Sequence, residues 1–381
     1  MLIRYTTDKK GKPKKQAEVY QAKEHKIVKS YIDRDAVSII DKLHRRGYQA
    51  YIVGGAVRDL MEGREPKDFD IATNALPEEV RKIFRNSRII GRRFKLVHVY
   101  FGAKIFEVAT FRSLESTNNY NDYGSIEEDV LRRDFSVNAL YYDPIENNVI
   151  DYIGGVKDLR NHKLRSIIDL KTTFKEDPVR MIRAIKYSNL SKLKIPYTLT
   201  QQIKKDVHNL DEVSISRLTE EIFKILLSGK SQFIIKDLVK YNAFSYLLPE
   251  IGDALDGKNK KEFRADFFKD LDKLDKKIYR GVEQGKSIAL SYLLDSYLTG
   301  LGLFNNKNIV MKDFVQSIKN SLKPLIAPNI DVESAARIIL KRKNIKISGK
   351  RRYTKSGSRP GFNKFKKMRK LDSEKSRDNI S

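Results

Sequence analysis

Two aspartates, Asp68 and Asp70, stand one residue apart in a segment, Asp68 to Thr73, whose alternation of polar and apolar residues predicts a β-strand. Side chains two positions apart project from the same face of a strand, so both carboxylates should share one face while Phe69 points to the other. Two adjacent carboxylates repel each other unless cations lie between them. The pair therefore indicates a two-metal phosphoryl-transfer site; the alternative is an exposed strand face or a turn.

A third acid, Glu107, lies among apolar residues in the predicted strand from Ile105 to Phe111. Burying an unpaired carboxylate is costly, so Glu107 should face a ligand, a metal ion or a salt-bridge partner. A neighbouring strand could bring it beside Asp70. With five scattered His and no Cys, metal binding rests on carboxylates, which favours two Mg²⁺ ions, or Mn²⁺. We predict that Asp68, Asp70 and Glu107 are both the catalytic residues and the metal ligands.

A glycine turn precedes the two aspartates, with the sequence Gly54-Gly55-x-x-Arg58-Asp59 between a predicted strand and a predicted helix. Glycines let the backbone approach a ligand, and a helix N-terminus offers free N–H groups to a phosphate. Arg58 would lie in the first helical turn, where it could meet a triphosphate. The alternative is an ordinary strand-to-helix turn, but its place just upstream of Asp68 and Asp70 strengthens the phosphoryl-transfer interpretation.

The segment from Glu127 to Asn138 is dense in charge and predicts a helix. Asp134 and Asn138 would lie one turn apart and share a face. They are candidates to hold ribose hydroxyls, with Arg133 on a phosphate. The acidic start of the segment is better explained as a solvated helix face.

A second helix is predicted to start at Pro178, with Asp177 as its N-cap. Asp177 could accept a hydrogen bond from an exocyclic amine, while Arg180, one turn away, donates to the adjacent ring nitrogen. Adenine and cytosine present an amine beside an acceptor nitrogen, whereas guanine and uracil present a carbonyl beside an N–H. The pair would select A or C without a nucleic-acid template; the alternative is a plain helix cap.

The composition favours a polyanionic partner. The 381 residues include 76 Lys and Arg against 49 Asp and Glu, a net charge of +27, which suits nucleic acid, with an anionic membrane surface as the alternative. No apolar run reaches the roughly 18 residues of a membrane span, so none is expected. The polar N-terminus has no secretory apolar region, and the absence of Cys gives no reason to expect an oxidising compartment; the cytoplasm is expected.

These motifs, in this order, resemble the class II nucleotidyltransferases of the polymerase-beta superfamily, which include bacterial poly(A) polymerases and tRNA CCA-adding enzymes. The resemblance covers roughly residues 35–230. It implies that the glycine turn binds triphosphate, the three acids bind two Mg²⁺, the Arg-Arg-Asp segment contacts ribose and the later motif reads the base. The predicted nucleotide-binding residues are Gly54, Gly55, Arg58, Asp59, Arg132, Arg133, Asp134, Asn138, Glu176, Asp177, Arg180 and Arg183. Asn138 is included because of its helical spacing from Asp134 alone.

The resemblance also implies an α+β fold, in which a small mixed-sheet catalytic head precedes an all-helical neck and body. Strand patterns occur before residue 165, helical periodicity prevails after 170, and residues 341–370 contain 14 Lys or Arg and no acid. We predict a basic flexible arm at 1–30, the head at 31–165, a neck with the base-reading helix at 166–235, an RNA-binding body at 236–340 and a basic disordered tail at 341–381.

Within the family, residues 89–99 and 242–250 are similar to segments of bacterial poly(A) polymerases, and the basic tail suits binding of varied RNA. We therefore expect addition of AMP from ATP to RNA 3′ ends, with release of pyrophosphate. A CCA-adding enzyme using CTP and ATP is the alternative, because the loop from Ser113 to Ile126 is short and the C-terminal body compact. A non-catalytic RNA-binding protein should have lost one of the three acids, and a small-molecule nucleotidyltransferase would not explain the charge.

Overall fold

The computed structural model describes residues 1–7, 11–91, 95–114, 122–257, 260–282, 284–305 and 308–348. A nine-stranded mixed sheet occupies the first part of the chain and packed helices the second, which confirms the predicted α+β class. The predicted tail lies outside the described residues from position 349 onward. Within the described ranges, no helix is long and apolar enough to cross a membrane.

One sheet carries the candidate acids. Its nine strands are β1 Leu2–Thr7, β2 Pro13–Gln21, β3 Ala50–Val53, β4 Asp70–Thr73, β5 Ser87–Ile90, β6 Leu96–Phe101, β7 Lys104–Thr110, β8 Leu140–Asp143 and β9 Asn148–Asp151. Their spatial order is β1-β2-β9-β8-β3-β4-β7-β6-β5. Every pairing is antiparallel except that of β4 with β7, which is parallel.

Helices pack on both faces of the sheet and build the rest of the chain. They are α1 Ala22–His25, α2 Arg34–His44, α3 Gly55–Met61, α4 Pro77–Ile83, α5 Ile126–Arg132, α6 Gly155–Arg160, α7 Leu170–Glu176, α8 Val179–Leu190, α9 Tyr197–Asp206, α10 Ile215–Leu226, α11 Ser231–Lys240, α12 Phe244–Leu247, α13 Pro249–Asp256, α14 Lys260–Tyr279, α15 Lys286–Gly300, α16 Met311–Ser321 and α17 Asn329–Arg342. Short 3-10 helices span Lys29–Tyr31, Ser136–Asn138 and Val207–Glu212.

The helical part departs from the all-helical prediction at one place. Two three-residue strands, β10 Asn308–Val310 and β11 Lys346–Ser348, pair in parallel as a separate small sheet.

The prediction of a flexible arm at residues 1–30 is wrong where β1 and β2 form the edge of the large sheet. Residues 18–21 of β2 pair with residues 148–151 of β9. Ala17 and Val19 are buried. The sequence hid this hairpin because β1 is exposed along its whole length and therefore shows no apolar alternation.

The two faces of the sheet pack against different elements, because successive residues of a strand point to opposite sides. On β3, Ile52 belongs to an apolar cluster with residues of α2, α3 and α4. Tyr51 and Val53 point the other way and join a smaller cluster with Ile126 and Val130 of α5. The candidate acids lie on this second, less covered face.

The sheet part and the first long helices share a core at their junction. Phe135 and Val137, which follow α5, pack in the same apolar cluster as Ile182 and Ile185 of α8. Lys67, in the loop before β4, donates a hydrogen bond from Nζ to the carbonyl of a residue that follows α10, at 3.0 Å. This junction fixes α8, the predicted base-reading helix, relative to the acids.

Candidate active site

Asp70 and Glu107 occupy adjacent positions on the parallel pair β4 and β7. The register pairs Ile71 with Val108, so the residue before each of these, Asp70 and Glu107, are neighbours across the pair. Neighbouring residues in register project from the same face of a sheet. Val53 pairs with Asp70 from the other side. The two carboxylates therefore lie side by side on the face that α5 partly covers.

Asp68 precedes the strand, because β4 begins at Asp70. The strand alternation predicted for Asp68 and Asp70 is therefore wrong for Asp68. Phe69, between them, is buried, whereas the Asp68 side chain is exposed. Asp68 is still close enough to Asp70 for its charge to act on the neighbouring carboxyl. The three acids share one neighbourhood, but Asp68 reaches it from a loop.

The carboxyl of Asp70 is harder to ionise than an ordinary aspartate. The surrounding protein raises the pKa of Asp70 to about 6, and the negative charges of Glu107 and Asp68 act in the same direction. The cations Arg133 and Lys224 oppose this shift. Asp70 keeps solvent-exposed surface, so the raised pKa reflects a recess lined by like charges rather than complete burial. A recess of this kind favours a bound cation.

The donor set suits Mg²⁺, because carboxylate oxygens are its preferred protein ligands. Glu107, however, has another partner, since its Oε1 lies 3.5 Å from Nε2 of His98 on β6. In the part of the chain that the structure describes, no three acidic or histidine side chains converge closely enough to hold a metal ion. Metal binding by all three acids would require Glu107 to turn from His98 toward Asp70.

Arg133 lies over the glycine turn. Gly54 has φ of +71°, a backbone conformation that L side chains rarely adopt, and α3 begins directly after it at Gly55. A β-carbon added at Gly54 would lie 3.8 Å from Nη1 of Arg133. Because Arg133 also lowers the pKa of Asp70, one guanidinium acts on both the turn and the acids.

Two residues that the sequence did not single out hold Arg133 in place. Asp129 Oδ2 accepts a hydrogen bond from Arg133 Nη2 at 2.8 Å, and the Tyr141 hydroxyl accepts one from Nε at 3.0 Å. The Tyr141 ring also lies 4.9 Å from the guanidinium carbon. Burial opposes ionisation of Asp129, but Arg133 and Tyr141 outweigh it and keep the pKa of Asp129 below its usual value. Arg133 is thus a pre-positioned cation.

Arg58 is placed differently from the prediction that it meets a triphosphate. Only 4% of the side chain is exposed, and Nη1 donates to Asn138 Oδ1 at 2.7 Å. Nη2 pairs with Asp59 at 3.1 Å, and the guanidinium carbon lies 4.9 Å from the ring centre of Tyr187. Asp59 is also bound by Arg64, at 2.6 Å. Arg58 therefore connects α3 to Asn138 and to α8 rather than facing an open cleft, and Asp59 helps to hold it.

Asp134 and Asn138 meet, but not on a helix. The predicted helix ends at Arg132, and Asn138 closes a 3-10 turn from which Nδ2 donates to Asp134 Oδ1 at 3.2 Å. Arg183 of α8 comes within 2.9 Å of Asp134 Oδ2 and donates to the Tyr187 hydroxyl at 3.2 Å. The structure thus joins Arg58, Asp59, Asp134, Asn138 and Arg183 in one polar network, centred on Tyr187.

Two atoms of this network are buried without a hydrogen bond of acceptable geometry. They are Asp134 Oδ2 and Arg183 Nε. Asp134 Oδ2 is nevertheless ion-paired with Arg183 at 2.9 Å, so of these two atoms only Arg183 Nε has no polar partner, although buried polar atoms usually find one. The Arg183-to-Tyr187 spacing of four residues on a predicted helix is the signal that could have revealed Tyr187 beforehand.

The predicted base-reading residues contact a further helix, α10. Asp177 is not the N-cap of α8, because α8 begins at Val179 and the Asp177 carboxylate instead accepts from Arg217 of α10 at 2.9 Å. Arg180 donates to the Thr173 carbonyl at 3.2 Å and pairs with Glu176 at 3.3 Å. Nothing in the sequence could link Asp177 to Arg217, which lies 40 residues away.

Arg132 is separated from the rest of the predicted site. Its Nη1 donates to the backbone carbonyl of Ser113, whereas Arg133 turns to Asp129 and Tyr141. Adjacent residues at the end of α5 therefore point to different surroundings.

Two segments of the chain match families of known proteins. Residues 50–165 match the family described as Poly A polymerase head domain, and residues 192–255 match Probable RNA and SrmB-binding site of polymerase A. The chain is 41% identical over 252 residues to Poly(A) polymerase I of Escherichia coli O6:H1, across 62% of this chain and 54% of that protein. It is 36% identical over 206 residues to the CCA-adding enzyme of Lactobacillus helveticus, across 52% of this chain and 51% of that one.

Among solved structures, the Bacillus stearothermophilus CCA-adding enzyme in complex with CTP aligns with 25% identity and a TM-score of 0.55, covering 81% of this chain and 82% of that chain. The chain spans about half the length of the curated relatives it matches. The glycine turn, the three acids and the segment from Arg132 to Asn138 all fall inside the matched head. The chain resembles the nucleotidyltransferases of the polymerase-beta superfamily, with a head domain of the poly(A) polymerase type and a likeness to CCA-adding enzymes.

Proposed function

We propose that this chain transfers AMP from ATP to RNA 3′ ends and releases pyrophosphate, as a poly(A) polymerase does. The observation that carries the proposal is the pair Asp70 and Glu107, with Asp68 close by, inside the segment that matches a poly A polymerase head. The higher identity to Poly(A) polymerase I, over a longer alignment than that with the CCA-adding enzyme, supports poly(A) addition.

Asp68, Asp70 and Glu107 would hold two Mg²⁺ ions, or Mn²⁺, which would activate the attacking RNA 3′-hydroxyl and neutralise charge on the leaving pyrophosphate. With a pKa of about 6, Asp70 is mostly ionised at neutral pH and available as a ligand. The 3′-oxygen forms a bond to the α-phosphorus of ATP as the bond to the bridging β-phosphate oxygen breaks. No covalent enzyme intermediate is required.

The remaining residues bind and orient the nucleotide. We assign the triphosphate to Gly54, Gly55 and Arg133, because the guanidinium is held over the turn and next to the acids. Asp134 is suited to a ribose hydroxyl, which would share its carboxylate with Arg183 and with Asn138. Arg58 and Asp59 then act as positioning residues.

Base selection falls to Asp177 and Arg180. Arg217 pairs with Asp177 at 2.9 Å, and Thr173 and Glu176 hold Arg180. An adenine amine at Asp177 would share or replace the contact with Arg217, while Arg180 donates to the adjacent ring nitrogen. Guanine would place its carbonyl against the carboxylate, which disfavours it.

CCA addition is the second candidate. It is favoured by the alignment with the Bacillus stearothermophilus CCA-adding enzyme across 81% of the chain. The same pair, Asp177 and Arg180, accommodates cytosine as well as adenine, because both bases present an amine beside an acceptor nitrogen.

Extension of two labelled RNAs separates the candidates. One RNA is a generic single-stranded oligomer and the other a tRNA lacking its terminal CCA; each nucleoside triphosphate is supplied singly, then ATP with CTP. We expect long ATP-dependent tails on the generic oligomer and little incorporation of GTP or UTP. Addition that requires CTP and stops once CCA is complete would instead identify a CCA-adding enzyme.

A further inference from the structure

A basic groove lies between α11 and α14, outside the proposed catalytic site. Its cavity volume is about 730 Å³. Cations from both helices line it: Lys236, Lys240, Lys261, Arg264 and Lys269. We call this feature the α11–α14 groove.

The positive charge of the groove is poorly neutralised. Its two acids are engaged elsewhere, since Asp237 accepts from Asn189 at 2.7 Å and Asp272 pairs with Lys276. Among the described residues, no carboxylate forms an ion pair with Lys236, Lys240 or Lys269. Unpaired surface cations facing one cavity attract a polyanion.

Aromatic rings accompany these cations. Phe233, on α11, exposes 57% of its side chain, an unusual placement for a large apolar residue. Lys236 Nζ lies 5.8 Å from the Phe233 ring centre and 5.2 Å from that of Phe268 on α14. An exposed ring among cations can stack a nucleobase while the cations hold the phosphates on either side.

The groove is preformed. Asp275 of α14 accepts hydrogen bonds from the Ser231 hydroxyl and backbone N–H at 2.8 Å and from the Gln232 N–H at 2.9 Å. Gln232 Nε2 donates in turn to the Phe268 carbonyl at 3.0 Å. These bonds tie the start of α11 to α14, so a ligand would not need to order the two walls.

The groove also has a defined relation to the candidate active site. Helix α8 begins next to the base-reading residue Arg180 and ends near Asn189, whose side chain contacts Asp237 of α11. Its 12 residues span about 18 Å. The groove therefore lies about one length of α8 from Arg180.

We propose that the α11–α14 groove binds the phosphodiester backbone of single-stranded RNA upstream of the reacting 3′ end, with Phe233 stacking on one base. The proposal rests on the proposed function, in which RNA is the substrate. Residues 192–255 match a family described as Probable RNA and SrmB-binding site of polymerase A. That segment contains α11 but ends before α14, so the proposal adds the second wall of the groove.

Lys240→Ala/Lys269→Ala removes one cation from each wall. Loss of two phosphate contacts should reduce the slope of log affinity against log salt concentration by roughly 1.4. If affinity at ~1 M salt is unchanged, this slope corresponds to about 25-fold weaker RNA binding at ~0.1 M salt. The measurement is fluorescence anisotropy with labelled oligoadenylate of about 20 nucleotides, longer than typical single-strand grooves cover. Phe233→Ala should weaken binding about fivefold or more without changing the salt slope.

The matched control, Lys23→Ala/Lys29→Ala, removes the same charge from exposed positions outside the groove and outside the predicted RNA-binding body. We expect it to retain RNA affinity, and we expect ATP and trinucleotide affinity to be unchanged in every variant. Equal losses in the groove and control pairs, or no loss in the groove pair, would overturn the proposal. Stronger binding to phosphatidylserine vesicles than to RNA, through the same lysines, would also overturn it. Because binding is measured without catalysis, loss of the proposed activity is distinguishable from loss of the groove.

Discussion

Asp70→Asn is expected to reduce RNA 3′-end extension by on the order of 10³-fold, comparable to loss of a central electrostatic group in other enzymes. Asp70 is the acid that lies beside Glu107 and feels the charges of both other acids, so its loss removes the proposed metal site. The rate is measured under single-turnover conditions with labelled RNA, ATP and Mg²⁺. Asp313→Asn, the same change at an exposed position on α16, is the matched control and should retain full activity.

The same substitution should not destabilise the fold. The surrounding protein and the charge of Glu107 raise the pKa of Asp70 to about 6 from 3.8. An acid with a raised folded-state pKa stabilises the fold below its unfolded pKa, and that contribution is lost as the pH rises through about 6. At about pH 8 the Asn variant should therefore unfold in urea at the same or a higher concentration than the unmodified protein, with the difference vanishing below about pH 4.

These two results must occur together. Loss of activity with unchanged urea midpoint places Asp70 in the chemistry. If the variant extends RNA at a rate within about tenfold of that of the unmodified protein, Asp70 is not a metal ligand in the reaction. Asp68 and Glu107 would then lack the acid that lies near both.

Glu221→Ala is expected to lower the free energy of unfolding by about 3–5 kcal/mol. Glu221 of α10 and Lys186 of α8 form an ion pair in which both side chains are nearly buried, with 10% and 7% exposed. Truncating one partner leaves the other charge buried and uncompensated. The change is measured by urea denaturation monitored at two wavelengths, so that two-state unfolding can be checked.

A double replacement provides the control. Lys186→Met/Glu221→Leu removes both charges and keeps similar volume, so it should recover most of the lost stability. A loss below about 1 kcal/mol in Glu221→Ala would show that water reaches the pair, and that it does not fix α8 against α10.

Predictions from the sequence were most accurate where local backbone conformation and residue pattern determine the structure. The glycine turn at Gly54 requires a positive φ that only glycine adopts readily, and it lies between β3 and α3, as expected. The apolar run of β3 and the alternation around Glu107 on β7 also follow directly from residue type. These local patterns were sufficient to predict that the head combines strands and helices, whereas the mixed sheet was implied by the family resemblance.

Contacts between distant segments were not predictable in the same way. Arg58 was expected to meet phosphate because of its position after the turn, but the packing of α8 against the head buries it against Asn138 and Tyr187. Arg217 reaches Asp177 only because α10 folds across the start of α8. The sequence showed which positions carry charged side chains. It did not show which of them are buried or which partners they contact, because both depend on tertiary packing that local spacing does not encode.

The most direct measurement compares two labelled RNAs that differ only at the last sugar, one with a 3′-hydroxyl and one 3′-deoxy, each incubated with ATP and Mg²⁺. Incorporated AMP and released pyrophosphate are quantified in the same reaction. We predict equal amounts of both products with the 3′-hydroxyl RNA and neither with the 3′-deoxy RNA. Release of ADP and phosphate without RNA growth, or equal pyrophosphate from both RNAs, would contradict the assignment of RNA 3′-end nucleotidyl transfer to this chain.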